Sequence, residues 1–403
     1  MNDTRKTREV LKQLPSIDKL LKTFKPKFPL LFRPLLKKII SEQLKVARLQ
    51  VLKNKSQLDL ENLYLNIESK LMIESGFKMK SIINGTGVIL HTGLGRAPIS
   101  KKILLEAFER IYPYTNIEID LNSGKRGDRT RIVSNLLSSI SLMEDAVVVN
   151  NNAAALLLIL NTFSEDKEVV ISRGQQVEIG GTFRIPDVIN KAGCNMVEIG
   201  TTNKTHLSDY QKAINNETGS VLFAHTSNYK VIGFTNEVSI KDLSVLCKKN
   251  KKPLVVDIGC GAVIDFSKFS LPYEKTVDSY TKDGADIICF SGDKLLSGPQ
   301  CGIIAGSTKE IRKIKSNPLY RALRCDKYTY ALLESTLKTI IKNDEMSDEN
   351  LTYKMFFKSR EDLRKVIEKV IKKVKNEIIQ KYNLEVVDTT VEAGSGSLPL
   401  QNI

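Results

Sequence analysis

The chain has 403 residues, 41% of them apolar and 27% charged, which is the composition of a soluble globular protein of two or three domains. Its apolar runs, such as Ala153 to Leu160, fall far short of the roughly 20 residues a membrane helix needs, and Met1 to Val10 is polar, so membrane, secreted mini-protein, collagen and coiled-coil classes are excluded. The formal net charge of +15 is uneven: residues 1–80 hold 18 Lys or Arg against 8 Asp or Glu, a pattern that fits either a polyanionic partner or a lysine-rich solvated surface.

Residues 1–80 read as a basic helical domain. Leu35, Leu36, Ile39, Ile40, Leu44 and Ala47 follow helical spacing, and Pro26, Pro29 and Pro34 break the chain before them. From Ser81 the texture changes to short apolar strands alternating with helices. Val147 to Val149 precedes a helix-forming run, Ala153 to Leu160. Val169 to Ser172, Val221 to Ala224, Leu254 to Asp257 and Asp286 to Phe290 are further strands, with a basic helix at Lys241 to Lys249. Continuous apolar strands between helices predict a mainly parallel sheet covered on both faces, in a domain at 81–340. Residues 341–403 form a smaller segment. One amphipathic helix is expected along Leu363, Val366, Ile367, Val370, Ile371, Val374, Ile378 and Ile379, followed by a strand, Leu384 to Val387. There are no internal repeats.

The six cysteines include no C-x-x-C pair and several lie in apolar surroundings, which fits a reducing cytoplasm. His91, His206 and His225 are too dispersed in sequence to predict a metal site.

Four stretches carry chemistry. In Phe290-Ser291-Gly292-Asp293-Lys294, a buried strand ends in a polar loop with one lysine. A desolvated lysine loses its charge readily, so its amine can form a Schiff base, and Ser291 can hydrogen-bond a phosphate; the bland alternative is a solvated loop lysine. Asp257 ends a strand, where α/β sheets bind ligands, and a carboxylate there can hold a proton on a pyridine nitrogen; on its own it reads as readily as a cap. Asn150-Asn151-Asn152-Ala153 opens a helix with small residues, leaving backbone N–H groups for a phosphate or for ordinary capping. Arg321 and Arg324 share a face if their segment is helical, and two planar forks suit an oxyanion, against the alternative of two solvated arginines. The glycines from Gly85 to Gly95 fail the G-x-G-x-x-G spacing of a dinucleotide loop.

Taken together, these residues resemble the bacterial selenocysteine synthase family, the L-seryl-tRNA(Sec) selenium transferases, over nearly the whole chain. The likeness is carried by Asn84 to Thr92 with Leu94 to Ala97, Ser172 to Gly174, Val177 to Gly181, Phe183 to Asp187, His225 to Tyr229, Gly233 to Thr235, Ser291 to Gln300 and Arg321 to Arg324. It implies a pyridoxal 5'-phosphate (PLP) enzyme of fold type I, an aspartate-aminotransferase-like α/β large domain. A helical N-terminal domain that binds tRNA and a short α+β C-terminal domain would flank it. It implies that Lys294 bonds the cofactor, that Asp257 faces its ring nitrogen, and that Asn152, Ala153 and Ser291 hold its phosphate. Arg96, Arg321 and Arg324 would receive selenophosphate. It implies water elimination from L-seryl-tRNA(Sec) and selenium addition, in a cytoplasmic ring of dimers, commonly a homodecamer, with no membrane partner. The family usually continues for several dozen residues beyond the Gly394-to-Pro399 motif, so the C-terminal domain is expected to be incomplete. Two other readings remain open at this level: a related lyase acting on a small amino acid or amino sugar, and an inactive tRNA-binding paralogue.

Overall fold

The computed structural model describes residues 2–54, 58–180, 183–226, 229, 231–341, 349–395 and 401–402. The chain divides into two compact units, Met1–Ile83 and Asn84–Ile403.

The first unit contains helices Asn2–Lys12, Ile17–Phe24, Arg33–Asn54 and Leu60–Ser75. Local chemistry sets two of their starts: Ser16 Oγ accepts from Lys19 N at 3.2 Å and Asp59 Oδ1 from Asn62 N at 2.9 Å, satisfying free N–H groups of the first turn. Pro34 sits in the first turn of its helix, where no partner is lost. Leu20, Phe24, Leu36, Ile40, Ile67 and Leu71 close a core of their own. Lys37, Lys38, Lys45 and Arg48 stay exposed on Arg33–Asn54.

The second unit is built on a seven-stranded sheet. Its strands are β1 (Asp145–Val149), β2 (Glu168–Ser172), β3 (Asn195–Ile199), β4 (Thr218–Ala224), β5 (Leu254–Gly259), β6 (Ile287–Ser291) and β7 (Gly302–Gly306). Their order is β1-β7-β6-β5-β4-β2-β3, with β3, β2, β4, β5 and β6 parallel and β7 antiparallel to both β6 and β1. Side chains alternate between two buried faces: Val148, Val170, Val256 and Ile288 enter one core, and Val147, Val169, Val255 and Ile287 the other. Two buried faces explain why these strands read as unbroken apolar runs.

Two details of the last segment differ from the sequence reading. The expected long helix is two, Arg360–Ile371 and Asn376–Tyr382. The ladder tightens at their junction, where Lys373 N bonds Val370 O at 2.9 Å and Val374 N bonds Ile371 O at 3.0 Å. Lys372, Lys373 and Lys375 crowd like charges there, which disfavours continuing the helix. Leu384 to Val387 forms no strand, being exposed and unpaired; the pairing falls at Thr390–Val391 with Gln401–Asn402.

Candidate active site

The carboxyl ends of β4, β5 and β6, together with the turn after β1, converge on one cavity of about 410 Å³. It is lined by Arg96, Asn152, Ala153, Asp257, Ser291 and Lys294, with His225 and Gln300 beside them. This is where an open α/β sheet places a ligand.

Each lining group is fixed by its element. Asn151 Oδ1 accepts from Ala154 N at 2.9 Å and so starts the helix Asn152–Ser164 directly after β1. Asn152 Nδ2 donates to Asp257 Oδ1 at 2.8 Å, and Gly259 N donates to the same oxygen at 3.0 Å. The Asn152 amide oxygen is buried without a partner among the described residues, as a donor supplied by a ligand would require. Arg96 Nη1 donates to Asp293 Oδ2 at 2.8 Å. His225 Nε2 lies 3.7 Å from Glu274 Oε1, which accepts from Cys260 Sγ at 3.0 Å.

Lys294 is not a solvated loop lysine: it is 5% exposed. Its loop is pinned on several sides. Gly292 N donates to Cys301 O at 2.9 Å and Gly298 N to Gly292 O at 2.8 Å. Leu295 N donates to Cys260 O at 3.1 Å, and the Tyr353 hydroxyl to Leu295 O at 2.8 Å. Gly292 is required by close approach, since a Cβ there would lie 2.4 Å from Cys301 Sγ and 2.7 Å from Pro299 O.

The electrostatics favour neutral forms. Burial pushes the Lys294 ammonium below the ordinary lysine range; the Arg96 guanidinium adds to this, while Asp257 and Asp293 oppose it. Burial pushes the Asp257 carboxyl up, opposed by the Asn152 hydrogen bond and the Lys294 charge. A buried amine kept short of its full charge can act as nucleophile and base.

The cavity brings together six of the eight sequence-derived residues: Lys294, Asp257, Ser291, Asn152, Ala153 and Arg96. Arg321 and Arg324 lie outside it and do not share a helix face. The helix Pro318–Leu323 ends before Arg324, whose backbone is extended and bridges Val149, while Asn150 N takes Leu323 O at 2.9 Å. Pairing with the end of β1 overrides local helical spacing. Sequence reasoning did not find the Arg96–Asp293 pair, 197 residues apart, or Glu274, which no local pattern marks. Gly181, Ser227, Asn228 and Gly396 to Pro399 of the resemblance motifs lie outside the described residues.

A family model described as L-seryl-tRNA selenium transferase matches residues 82–403. Curated relatives named L-seryl-tRNA(Sec) selenium transferase are similar over nearly all of the chain. That of Clostridium botulinum (strain Loch Maree / Type A3) is 41% identical over 399 residues, covering 98% of this chain and 86% of the relative. That of Alkaliphilus oremlandii (strain OhILAs) is 40% identical over 406 residues, with the same coverage. The solved structure of a D-glucosaminate-6-phosphate ammonia-lyase aligns with a TM-score of 0.53 at 19% identity, over 64% of this chain and 68% of that one, a likeness of fold. With the sheet order above, the fold class is the type I, aspartate-aminotransferase-like α/β architecture expected from the sequence.

Proposed function

The chain belongs to the L-seryl-tRNA selenium transferase family, and from that premise we propose how its own residues carry the reaction. It is an enzyme that converts L-seryl-tRNA(Sec) to L-selenocysteinyl-tRNA(Sec). The observation that carries the reading is the buried Lys294 amine facing Asp257 in a cavity bounded by Ser291 and the open start of the helix at Asn152.

Those residues fit pyridoxal 5'-phosphate. Lys294 Nζ would hold it through its aldehyde. Ser291 and the first-turn N–H groups at Asn152 and Ala153 would take its phosphate. The Asp257 carboxylate would face the ring nitrogen, where a cation would favour its charged form against the desolvation that otherwise raises its pKa. When bound, the cofactor supplies an electron sink for charge developing at the serine Cα. With the cofactor bound, Lys294 Nζ would be the group that receives the Cα proton, and burial, which lowers its pKa, favours the neutral amine that can take it. Leu295, Cys260 and Phe290, beside the lysine loop, are buried in one apolar core. The β-hydroxyl leaves as water, selenium from selenophosphate bonds the β-carbon, and water cleaves the Se–P bond to release phosphate. Arg96 at the cavity, with Arg321 and Arg324 outside it, is assigned the positive charge that receives the donor's phosphate group, Arg96 and Arg324 on release from Asp293 and Glu118.

The basic helical domain, residues 1–80, is assigned to the tRNA, residues 81–340 to the cofactor and residues 341–403 to a smaller C-terminal domain. The assembly is a cytoplasmic ring of dimers with sites between subunits. Six free cysteines support a reducing compartment, and among the described residues no helix is long and apolar enough to cross a membrane.

The test is Lys294→Ala. The variant is expected to lose the visible absorption band of the bound cofactor and the turnover of seryl-tRNA with selenophosphate. An unchanged band in the variant removes the assignment of Lys294.

A further inference from the structure

Three guanidinium groups converge on one carboxylate. Glu118 opens a short hairpin in which Ile119 bridges Arg126, Asp120 N donates to Lys125 O at 2.9 Å and Gly127 N to Glu118 O at 2.9 Å. Asp120 closes the tip by accepting from Asn122 N and Ser123 N, each at 3.0 Å. Glu118 Oε2 receives Arg126 at 3.2 Å. Glu118 Oε1 receives Arg129 Nε at 3.1 Å, a second Arg129 nitrogen, and Arg324 at 3.3 Å. Arg129 also donates to Cys325 O at 2.6 Å, which fixes its fork. The nearby carboxylates are taken elsewhere, Asp120 by Arg131 and Asp128 by Lys315. Three cations on one anion leave two positive charges without a counterion among the described residues. Arg321, just upstream, has no carboxylate partner among the described residues.

The clasp is near the cavity. Arg324 bridges Val149, and Asn152 follows Val149 by three residues, a reach of about 11 Å at full extension.

We propose that Glu118 is a built-in competitor for a tetrahedral oxyanion of the phosphate type, occupying the guanidinium forks of Arg126, Arg129 and Arg324 until the phosphate end of the selenium donor displaces it. The inference rests on the reading of Arg324 as a donor-binding arginine. One carboxylate offers two oxygens and one charge to three forks, whereas a phosphate dianion offers three oxygens and two charges. Glu118 is partly exposed, so it can turn to water; its release breaks pairs with Arg126, Arg129 and Arg324, of which the Arg129 pair is the most buried, and the incoming anion re-pairs all three forks. Arg129 foremost, with Arg126 and Arg324, holds the Glu118 carboxyl below the usual carboxylate range, so it stays ionised and competes at neutral pH.

The test is calorimetric titration of inorganic phosphate, and of thiophosphate, into the cofactor-loaded full chain and its Glu118→Gln variant. Removing a like charge within a few ångströms of the bound anion is expected to tighten phosphate binding about tenfold. The same change is expected to lower the KM for selenophosphate. Glu118→Ser, which removes the side-chain carboxyl altogether, is expected to act in the same direction, and it decides the matter if Glu118→Gln does not fold. Equal or weaker binding in these variants overturns the inference, since it makes Glu118 an orienting partner rather than a competitor. Tightening that survives an added Arg324→Gln overturns it too, because the anion then sits elsewhere. Phosphate binding absent from wild type and variants alike removes the donor reading of Arg324 itself.

Discussion

Gly302 opens β7 against the end of β1, and its missing side chain is what lets Asn151 sit there. A Cβ at Gly302 would lie 2.1 Å from Asn151 O, 2.4 Å from Asn151 C and 2.9 Å from Asn152 N. An ordinary contact needs roughly 3.5 Å, so in Gly302→Ala the Asn151 carbonyl must retreat by about 1 Å or more. That carbonyl accepts Ala155 N at 3.0 Å, and the Asn151 side chain caps Ala154 N at 2.9 Å. Losing the bond costs about 1 kcal/mol, losing the cap about 1 kcal/mol, and the overpacking itself about 1–3 kcal/mol. The variant is therefore expected to lose about 3–5 kcal/mol of stability, and its cofactor affinity should fall because Asn152 and Ala153 move with the helix start. Urea unfolding of the cofactor-free chain, followed by circular dichroism, reads the first, provided the slope is unchanged. Absorbance titration of the cofactor reads the second. Gly85→Ala is the control, since a Cβ there meets nothing within 4 Å, and its effect should stay within about 0.5 kcal/mol. A Gly302→Ala midpoint matching the control refutes the claim that the β1–β7 approach positions the cavity's asparagine turn.

Three further outcomes are expected. Because burial lowers the Lys294 pKa and the neutral amine attacks the aldehyde, the rate of cofactor capture by the cofactor-free chain should rise with pH and level off below the ordinary lysine value of 10.5. In stopped-flow absorbance, a rate still climbing past that value refutes it. The sign for stability agrees: the unfolded chain binds this proton over a window in which the folded chain does not, so the Lys294 contribution to stability rises with pH across that window. The six cysteines are buried, and burial pushes the thiols of Cys194 up to about 11 and of Cys247 and Cys325 up to about 12. A disulfide-exchange dye at pH 8 should therefore find none in the native chain and all six in denaturant; one fast native thiol contradicts this. Replacing Lys37, Lys38, Lys45 and Arg48 together with Gln should weaken tRNA binding and flatten its salt dependence by up to about 0.9 log units per lost phosphate contact, and an unchanged slope moves the tRNA surface elsewhere.

Much of the sheet was legible because its strands are covered on both faces. β1, β2, β5 and β6 announce themselves as Val- and Ile-rich runs, and β4 as the apolar run Val221 to Ala224. β3 does not, because it pairs only with β2 at the sheet edge and keeps Asn195 and Glu198 exposed, so its sequence alternates weakly. Lys294 was legible because a buried strand ran straight into it. The placement of Arg324 was not: spacing of three suggests one helix face, but the chain leaves the helix to pair with Val149, a contact 175 residues away in sequence. The Arg96–Asp293 pair is hidden for the same reason. Local pattern reports what an element buries, and says little about which distant element it meets.

The antiparallel turn from β6 to β7 gives the two chemistries different mechanical supports. A parallel continuation after β6 would need a long crossover, whereas the antiparallel return needs only Gly292 to Cys301, and that short loop is pinned from Cys260, Tyr353 and its own ends. Lys294, the proposed acceptor of the Cα proton, therefore sits on a rigid wall with little freedom to relax. The forks of Arg126, Arg129 and Arg324 are held instead by one partly exposed carboxylate that an incoming anion can replace. Disturbing the wall should damage the proton step for every donor, so kcat falls. Disturbing the clasp should change how tightly the donor is held, so its KM moves first. A Tyr353→Phe variant that altered donor KM while leaving kcat intact would show that the wall and the clasp are one mechanical unit, because the Tyr353 hydroxyl donates to Leu295 O in the loop of Lys294 and, among the described residues, makes no hydrogen bond to the clasp.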